Sequence, residues 1–460
     1  MSTSEHPVAS AAPAATPSST TTAGASNRYA WYVVLLLMLC FTLAYIDRQI
    51  LSLLIGPIKR DLGISDTVVG LLQGFAFALF FAIMGLPFGR MVDTCSRRNV
   101  LIVAVFFWSL MTALCSLAKS FGTLFLSRMG VGVGEAALAP AALSIITDYF
   151  PKEKLGTALS VYSMGVFIGS GLALVVGGVV IDAVAAQPEI HVPLLGAMAS
   201  WRVAFLIVGL PGIALALLLY TVREPQRKNL LRNASGQAYV PSLREVFSQV
   251  RQRSSSAVGL ALAIACMAMT TYSFGAWTPA YFIRVHHWSP GRTGVALGWI
   301  IMVCGCLGML AGGWLCDRWQ RRGLRDAPLR VGCIGAVGTA VLFPLAMLAG
   351  STTLTLTLLC PAVLFQAMPA GSGYAALQLI FPNQMRGQVN AILGFVAIIL
   401  GLTLGPLLPG LFNDYLFKDG NMVGPSVALS IGLAGTLAAV LFRSIFGPYK
   451  RHYALMHGDQ

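Results

Sequence analysis

Ala44-Tyr45-Ile46-Asp47-Arg48-Gln49-Ile50-Leu51-Ser52 is the stretch on which the reading of this chain turns. It lies inside an apolar run from Tyr29 to Ile55, long enough to cross a bilayer as a helix. Asp47 and Arg48 therefore fall near the middle of the hydrocarbon, where a charge costs at least about 2.5–3.5 kcal/mol on insertion scales. Such charges persist when they pair, face an aqueous cavity or take part in function. Two readings stay open at this point: an ion pair that holds helices together, or an ion or substrate site.

The surrounding composition fits a membrane setting. Of 460 residues, 56% are hydrophobic and only 10% charged, against roughly 25% charged in soluble domains. The chain is a polytopic membrane protein. Its nine cysteines fall mostly within apolar runs, with no Cys-x-x-Cys pair and no histidine at metal-like spacing, so they read as small buried hydrophobes. No metal site and no cofactor are expected. There is no Walker loop, and Gly169-Ser170-Gly171 lies inside a spanning run rather than at a nucleophile elbow. Neither ATP-driven transport nor an enzyme is indicated.

Residues 1–27, rich in Ser, Thr, Ala and Pro, are expected to be a disordered tail. They lack the basic start of a signal peptide. Apolar runs then recur at 29–55, 66–90, 99–118, 122–149, 155–182, 201–222, 256–283, 293–316, 329–349, 353–380, 387–413 and 424–446. In lipid every backbone polar group needs an internal partner, so these are helices. The expected fold is an all-α membrane protein with twelve transmembrane helices in two six-helix bundles, 28–222 and 256–446. A linker at 223–255 joins them, and a tail follows at 447–460.

With both termini placed inside, about three quarters of the lysines and arginines fall on the inner side, loop after loop. Lys59, Arg60, Lys119, Arg202, Arg284, Arg292 and Lys418 are left outside. This predicts a multi-pass protein of the cell inner (plasma) membrane with both ends cytoplasmic. The formal net charge of +14 is then mainly a topology signal, with some attraction to lipid head groups, and not a mark of nucleic-acid binding. His286 and His287 read as solvated residues of an outer loop.

The two halves share a motif. Gly89-Arg90-Met91-Val92-Asp93-Thr94-Cys95-Ser96-Arg97-Arg98 and Gly313-Trp314-Leu315-Cys316-Asp317-Arg318-Trp319-Gln320-Arg321-Arg322 both fit Gly-x3-Asp-x3-Arg-Arg, after the second and eighth spans. Phe150-Pro151 with Gly156 is echoed by Phe381-Pro382 with Gly387. Glycines 89 and 313 would let helices approach closely. Asp93 and Asp317 would meet arginines or a helix N-terminus, making a conformational clasp with Arg97, Arg98, Arg321 and Arg322.

The paired loops and the six-plus-six plan resemble the major facilitator superfamily over about residues 29–446. Tyr45 to Ser52, Arg128-Met129-Gly130-Val131-Gly132-Val133-Gly134-Glu135-Ala136, Asp148-Tyr149-Phe150-Pro151 and Trp201-Arg202-Val203-Ala204-Phe205 resemble its Spinster-like branch. The likeness is strong in the first half and weak in the second. Thr94-Cys95-Ser96 departs from the usual superfamily loop.

Arg128 and Glu135, seven residues apart, share one helix face across two turns. Gly130, Gly132 and Gly134 between them permit close packing. With Asp47 and Arg48 they make a neutral quartet of two acids and two bases. Proton occupancy of Asp47 and Glu135 would depend on whether Arg48 or Arg128 is engaged by an acid or by substrate. The resemblance implies the same: Asp47 and Glu135 as proton-coupling acids, Arg48 and Arg128 as binders of an anionic head. Tyr45, Tyr162, Trp277 and Tyr374 are further candidate substrate contacts. Thr270, Thr271, Tyr272, Tyr281, Gln366, Gln378 and Asn390 are neutral cavity candidates. The expected partners are protons, membrane lipids and a small amphiphilic or organic-anion substrate, handled by a monomer. The resemblance points to lysophospholipids or sphingolipids. A proton symporter of a small organic anion such as a sugar acid is the alternative, and a static channel or receptor a more distant one.

Overall fold

The computed structural model describes residues 27–185, 189–192, 196–226, 243–370, 373, 376, 380–381 and 386–457. The tail 1–26, most of the linker (227–242), Tyr374 and Gln378 lie outside the described residues. The side chains of Asp93 and Asn390 lie outside them too.

Eleven helices long and apolar enough to cross a membrane follow one another, from Arg28–Leu53 to Val423–Ser444. A shorter apolar helix, Thr352–Ala367, supplies the tenth crossing. Twelve crossings put both ends of the helical region on one face, called here the terminus-bearing face; the opposite one is the far face. Serines start several helices. Ser65, Ser96, Ser289 and Ser351 each accept a backbone N–H of the first turn, and Ser120 forms a capping box with Thr123.

The halves meet through three helix pairs: fifth (Lys152–Ala185) with eighth (Pro290–Arg321), second with eleventh (Arg386–Leu411), and first (Asn27–Leu53) with seventh (Ser254–Val285). The second span is split at Gly74 into Asp66–Gln73 and Phe75–Thr94. Glycines make the seams. A Cβ on Gly70 would lie 2.7 Å from the Pro406 carbonyl oxygen, and one on Gly178 2.6 Å from that of Pro290. Only glycine admits backbone this near. Both contacts lie in the far-face portions of their helices. The eighth span carries a π-helical segment near its middle, Ile301–Gly305, and the eleventh one at its far-face end, Phe412–Phe417.

Three elements depart from the expectation of helices joined by plain loops and tails. Glu189–Val192 pairs antiparallel with Gly196–Ala199 between the fifth and sixth spans, and Ile190 and Val192 pack on the core. The linker holds a helix, Leu243–Gln252. The C-terminal segment folds as Phe446–His457 because it has something to bury. Tyr449 is fully buried and donates to the Ala376 carbonyl (3.1 Å), and Lys450 reaches Asp326 at 3.3 Å.

Candidate functional site

Four charges predicted from sequence meet at the centre of the first half. Arg48 grips Glu135 Oε2 through Nε (2.7 Å) and Nη2 (2.6 Å). Phe77 and Phe81 of the second span lie 4.4 and 5.1 Å from its guanidinium carbon, and Tyr45 5.2 Å. Aromatic faces stabilise a cation held away from bulk water. Gly132 brings the fourth span against this group, since a Cβ there would sit 2.5 Å from the Phe77 carbonyl oxygen. Two turns from Glu135 toward the far face, Arg128 Nη1 donates to the Asp47 main-chain carbonyl at 2.9 Å. Both Asp47 carboxylate oxygens and Glu135 Oε1 are buried without a hydrogen-bond partner among the described residues.

A cavity of about 510 Å³ opens from Arg48 toward the terminus-bearing face. Its first-half wall includes Phe41, Tyr45, Arg48, Phe81 and Ser163. Its second-half wall is mainly apolar, with Ile264, Met267, Met309, Ile398 and Phe442, relieved by Thr271, Tyr272 and Gln366. Arg48 is the one cation among the described lining residues, and none of them is acidic. Beyond Arg48 lies a pocket of about 40 Å³ between Gln49, Gln73 and Tyr272, room for water.

The structure brings together some of the predicted contacts and separates others. Tyr45 and Arg48 are on the wall. Glu135 meets the cavity only through Arg48, whose side chain is 14% exposed while its own is 0%. Arg128 is buried behind the first span, so it does not reach the cavity as an anion binder would. Asp47 is sealed from the cavity in this conformation. Tyr162 stands behind the wall, its ring stacked on Phe41 at 5.1 Å. Trp277 is corrected most clearly. It is fully buried, its indole donates to the Pro406 carbonyl at 2.7 Å, and it lies 5.7 Å from the Arg284 guanidinium, near the far face. The seventh span is 32 residues long, so about one and a half turns past Tyr272 already leaves the cavity. Thr270 sits behind Gln366, bonded to its Nε2 at 3.2 Å. His286 is not simply solvated, for its ring packs edge-on against Tyr281 at 4.9 Å.

The repeated loops also differ from expectation. Gly89 and Gly313 face open space, with nothing within 4 Å of a built Cβ, so neither makes the close helix approach predicted for it. Arg97 is buried and engaged by Glu224 (2.8 Å), Asp148, Ser144 Oγ (2.9 Å) and the Pro225 carbonyl (2.6 Å). Arg98 offers its backbone N–H to Glu224 at 2.9 Å. In the second copy Asp317, Arg321 and Arg322 are exposed, and among the described residues Arg321 Nε reaches only the Asp317 carbonyl, at 3.4 Å. The acid partner is missing there: the position matching Asp148 in the Phe-Pro echo is Leu379. The second half instead buries Asp326, between Arg330 (3.1 Å) and Lys450 (3.3 Å). The charges are inverted, and the partners named here all belong to the latch's own half.

On the far face the ties cross between halves. Asp66 is buried and accepts from Arg284 Nη1 (2.8 Å) and Nη2 (2.9 Å), from Asn413 Nδ2 (3.2 Å) and from Lys59 (2.5 Å). Asp414 takes the backbone N–H and hydroxyl of Thr67, both at 2.6 Å, and Asp182 takes the Ser289 hydroxyl at 2.9 Å. Sequence reading passed over these three acids. Each sits at a span end, where an acid looks like ordinary solvated capping.

The profile of the Major Facilitator Superfamily matches residues 37–406, from the first span into the eleventh. The chain belongs to the major facilitator superfamily. It is a transporter and not an enzyme. It is 28% identical over 431 residues to an MFS-type efflux pump of Mycolicibacterium smegmatis, covering 92% of this chain and 94% of that one. It is 28% identical to a probable L-galactonate transporter of Escherichia coli (83% and 82% covered). With the sphingosine-1-phosphate transporter SPNS2 of Xenopus tropicalis it shares 25% (85% and 75% covered). Among solved structures it resembles a bacterial homolog of the human lysosomal transporter Spinster, in an inward-facing and unoccupied conformation. There the TM-score is 0.74 at 26% identity, over 95% of this chain and 99% of that one. The Spinster-like resemblance of the sequence thus extends to the whole superfamily fold.

Proposed function

We propose that this transporter moves an amphiphilic anion, of the lysophospholipid or sphingolipid kind, across the inner (plasma) membrane by proton-coupled alternating access. It acts as a monomer with both ends cytoplasmic, so the conformation described is inward-facing. The observation that carries the reading is the wall of the central cavity: one guanidinium, Arg48, in a mostly apolar lining. A sugar acid would leave its hydroxyls facing Ile264, Met267, Met309 and Ile398 without partners, an expensive burial. An acyl chain fits those residues, while its phosphate or carboxylate takes the planar fork of Arg48.

Coupling follows from competition for that fork. Glu135 holds Arg48 at the cavity wall. An anionic head that takes Arg48 leaves Glu135 a buried carboxylate without its counter-ion, and a proton removes that charge. Release of the head lets Glu135 return its proton and recover Arg48. Asp47, without a hydrogen-bond partner among the described residues, is the second acid of the coupling pair.

Proteoliposome flux with labelled lysophosphatidic acid against labelled galactonate tests the substrate class. Saturable, proton-stimulated lysolipid counterflow is expected. Flux of galactonate alone would replace this reading with that of a sugar-acid symporter, the activity named for the Escherichia coli relative. Absence of counterflow for both would argue for a static cavity.

A further inference from the structure

The far face holds a second cavity, of about 400 Å³, that shares no lining residue with the central one. The first half supplies Ile55, Pro57 and Arg60, from the short helix Ile55–Leu62, together with Ile181. The second half supplies Ile283, Arg284 and His287. Two guanidinium groups and an imidazole thus face a space with apolar walls, and no lining residue is acidic. His287 is held at φ 54°, in the left-handed region that side-chain-bearing residues rarely adopt. Neither Arg60 nor His287 takes part in an ion pair among the described residues.

Arg284 has two roles at once. It lines this cavity, and its two terminal nitrogens tie the seventh span to Asp66 of the second. Asp66 is also held by Lys59, on its own side of the molecule, at 2.5 Å. If Arg284 turned away, Asp66 would therefore keep a cationic partner and no buried carboxylate would be orphaned. That makes Arg284 the exchangeable member of the tie.

We propose that this cavity is a second anion site. The phosphate or carboxylate head of an amphiphile binds Arg60, His287 and Arg284, and in doing so competes with Asp66 for Arg284 and loosens the bond between the halves. The choice of an amphiphile as ligand rests on the substrate reading above; the site itself stands on the far-face residues alone.

Binding of lysophosphatidic acid, and of inorganic phosphate as the bare head, to protein in neutral-lipid nanodiscs tests it. Wild type should bind two equivalents of lysophosphatidic acid, and Arg48→Ala should keep one. The exposed pair Arg60→Ala with His287→Ala, in either background, should weaken that far-face equivalent by about tenfold or more. Asp66→Asn, which removes the competitor for Arg284, should tighten it about tenfold, an effect that a merely structural Asp66 would not produce. Phosphate that displaces the lysolipid shows that the head suffices; phosphate that fails to do so assigns the affinity to the apolar walls as well. A single equivalent in wild type that Arg48→Ala abolishes overturns the proposal. So does a second equivalent indifferent to Arg60→Ala with His287→Ala, or weakened by Asp66→Asn. Failure of the central reading is distinct: wild type would then bind one equivalent, kept in Arg48→Ala and weakened by Arg60→Ala with His287→Ala.

Discussion

The two faces of this transporter use similar residues to opposite ends. On the far face, Asp66, Asp414 and Asp182 each bond across from one half to the other, and glycine seams bring backbone into contact beneath them. On the terminus-bearing face, Arg97 and Asp326 are latched by charges of their own half, and Gly89 and Gly313 face open space. Bonds that cross between halves belong to one conformation and must break for the other. Bonds within a half can persist through both. On the alternating-access reading proposed above, the far face is the closed gate of this state, and the other face holds the rigid ends of the two moving bodies.

The most complete break of this contrast lies at the centre, at the two acids of the proposed coupling. Glu135→Gln and Asp47→Asn should abolish proton-driven accumulation in proteoliposomes while leaving the purified protein folded; undiminished accumulation in both would refute the coupling role. Next comes the latch of the first half. Arg97→Ala takes a buried cation from Asp148 and Glu224 and should cost about 1.5–3 kcal/mol, read as a fall in melting temperature with or without substrate. A change confined to transport would show instead that the latch is conformational.

The seam should respond differently. A side chain at Gly70 would meet the eleventh-span backbone, so Gly70→Leu should disfavour the closed far face by about 1–3 kcal/mol. Labels placed across the far face should then report greater separation, with the melting temperature little changed; unaltered distances would mean that the seam can give way. The smallest effect is that of acid on the within-half latches. Burial pushes Glu224 up, but the Arg98 amide, Arg97 and Ser96 outweigh it and hold its carboxyl below the usual range. Asp326 is pushed up by burial and brought below its usual value by Arg330 and Lys450. Depressed acids contribute stability above their unfolded values, about 4, and lose it as pH falls through the folded ones. Thermal stability should thus decline below about pH 4, and Glu224→Gln should flatten that slope. A slope that survives in both Glu224→Gln and Asp326→Asn would assign it to other groups.

How far the site was legible depends on what each residue's neighbours in sequence reveal. Arg48 and Glu135 stood out because a charge inside an apolar run has few explanations. Arg128 and Trp277 looked equivalent to true wall residues, since helical spacing gives a face but not what packs against it. The missing acid of the second loop was legible at Leu379, whereas its substitute, Asp326, became recognisable only once the C-terminal helix placed Lys450 beside it.

The sequence alone determined the twelve crossings, the two halves and the buried quartet, because hydrocarbon penalises unpaired backbone and charge whatever the neighbours are. Only the tertiary structure decided which charges face the cavity, which face is shut and which partners Asp66 takes. Those depend on contacts between helices hundreds of residues apart in the chain, and no local pattern encodes the distance between them.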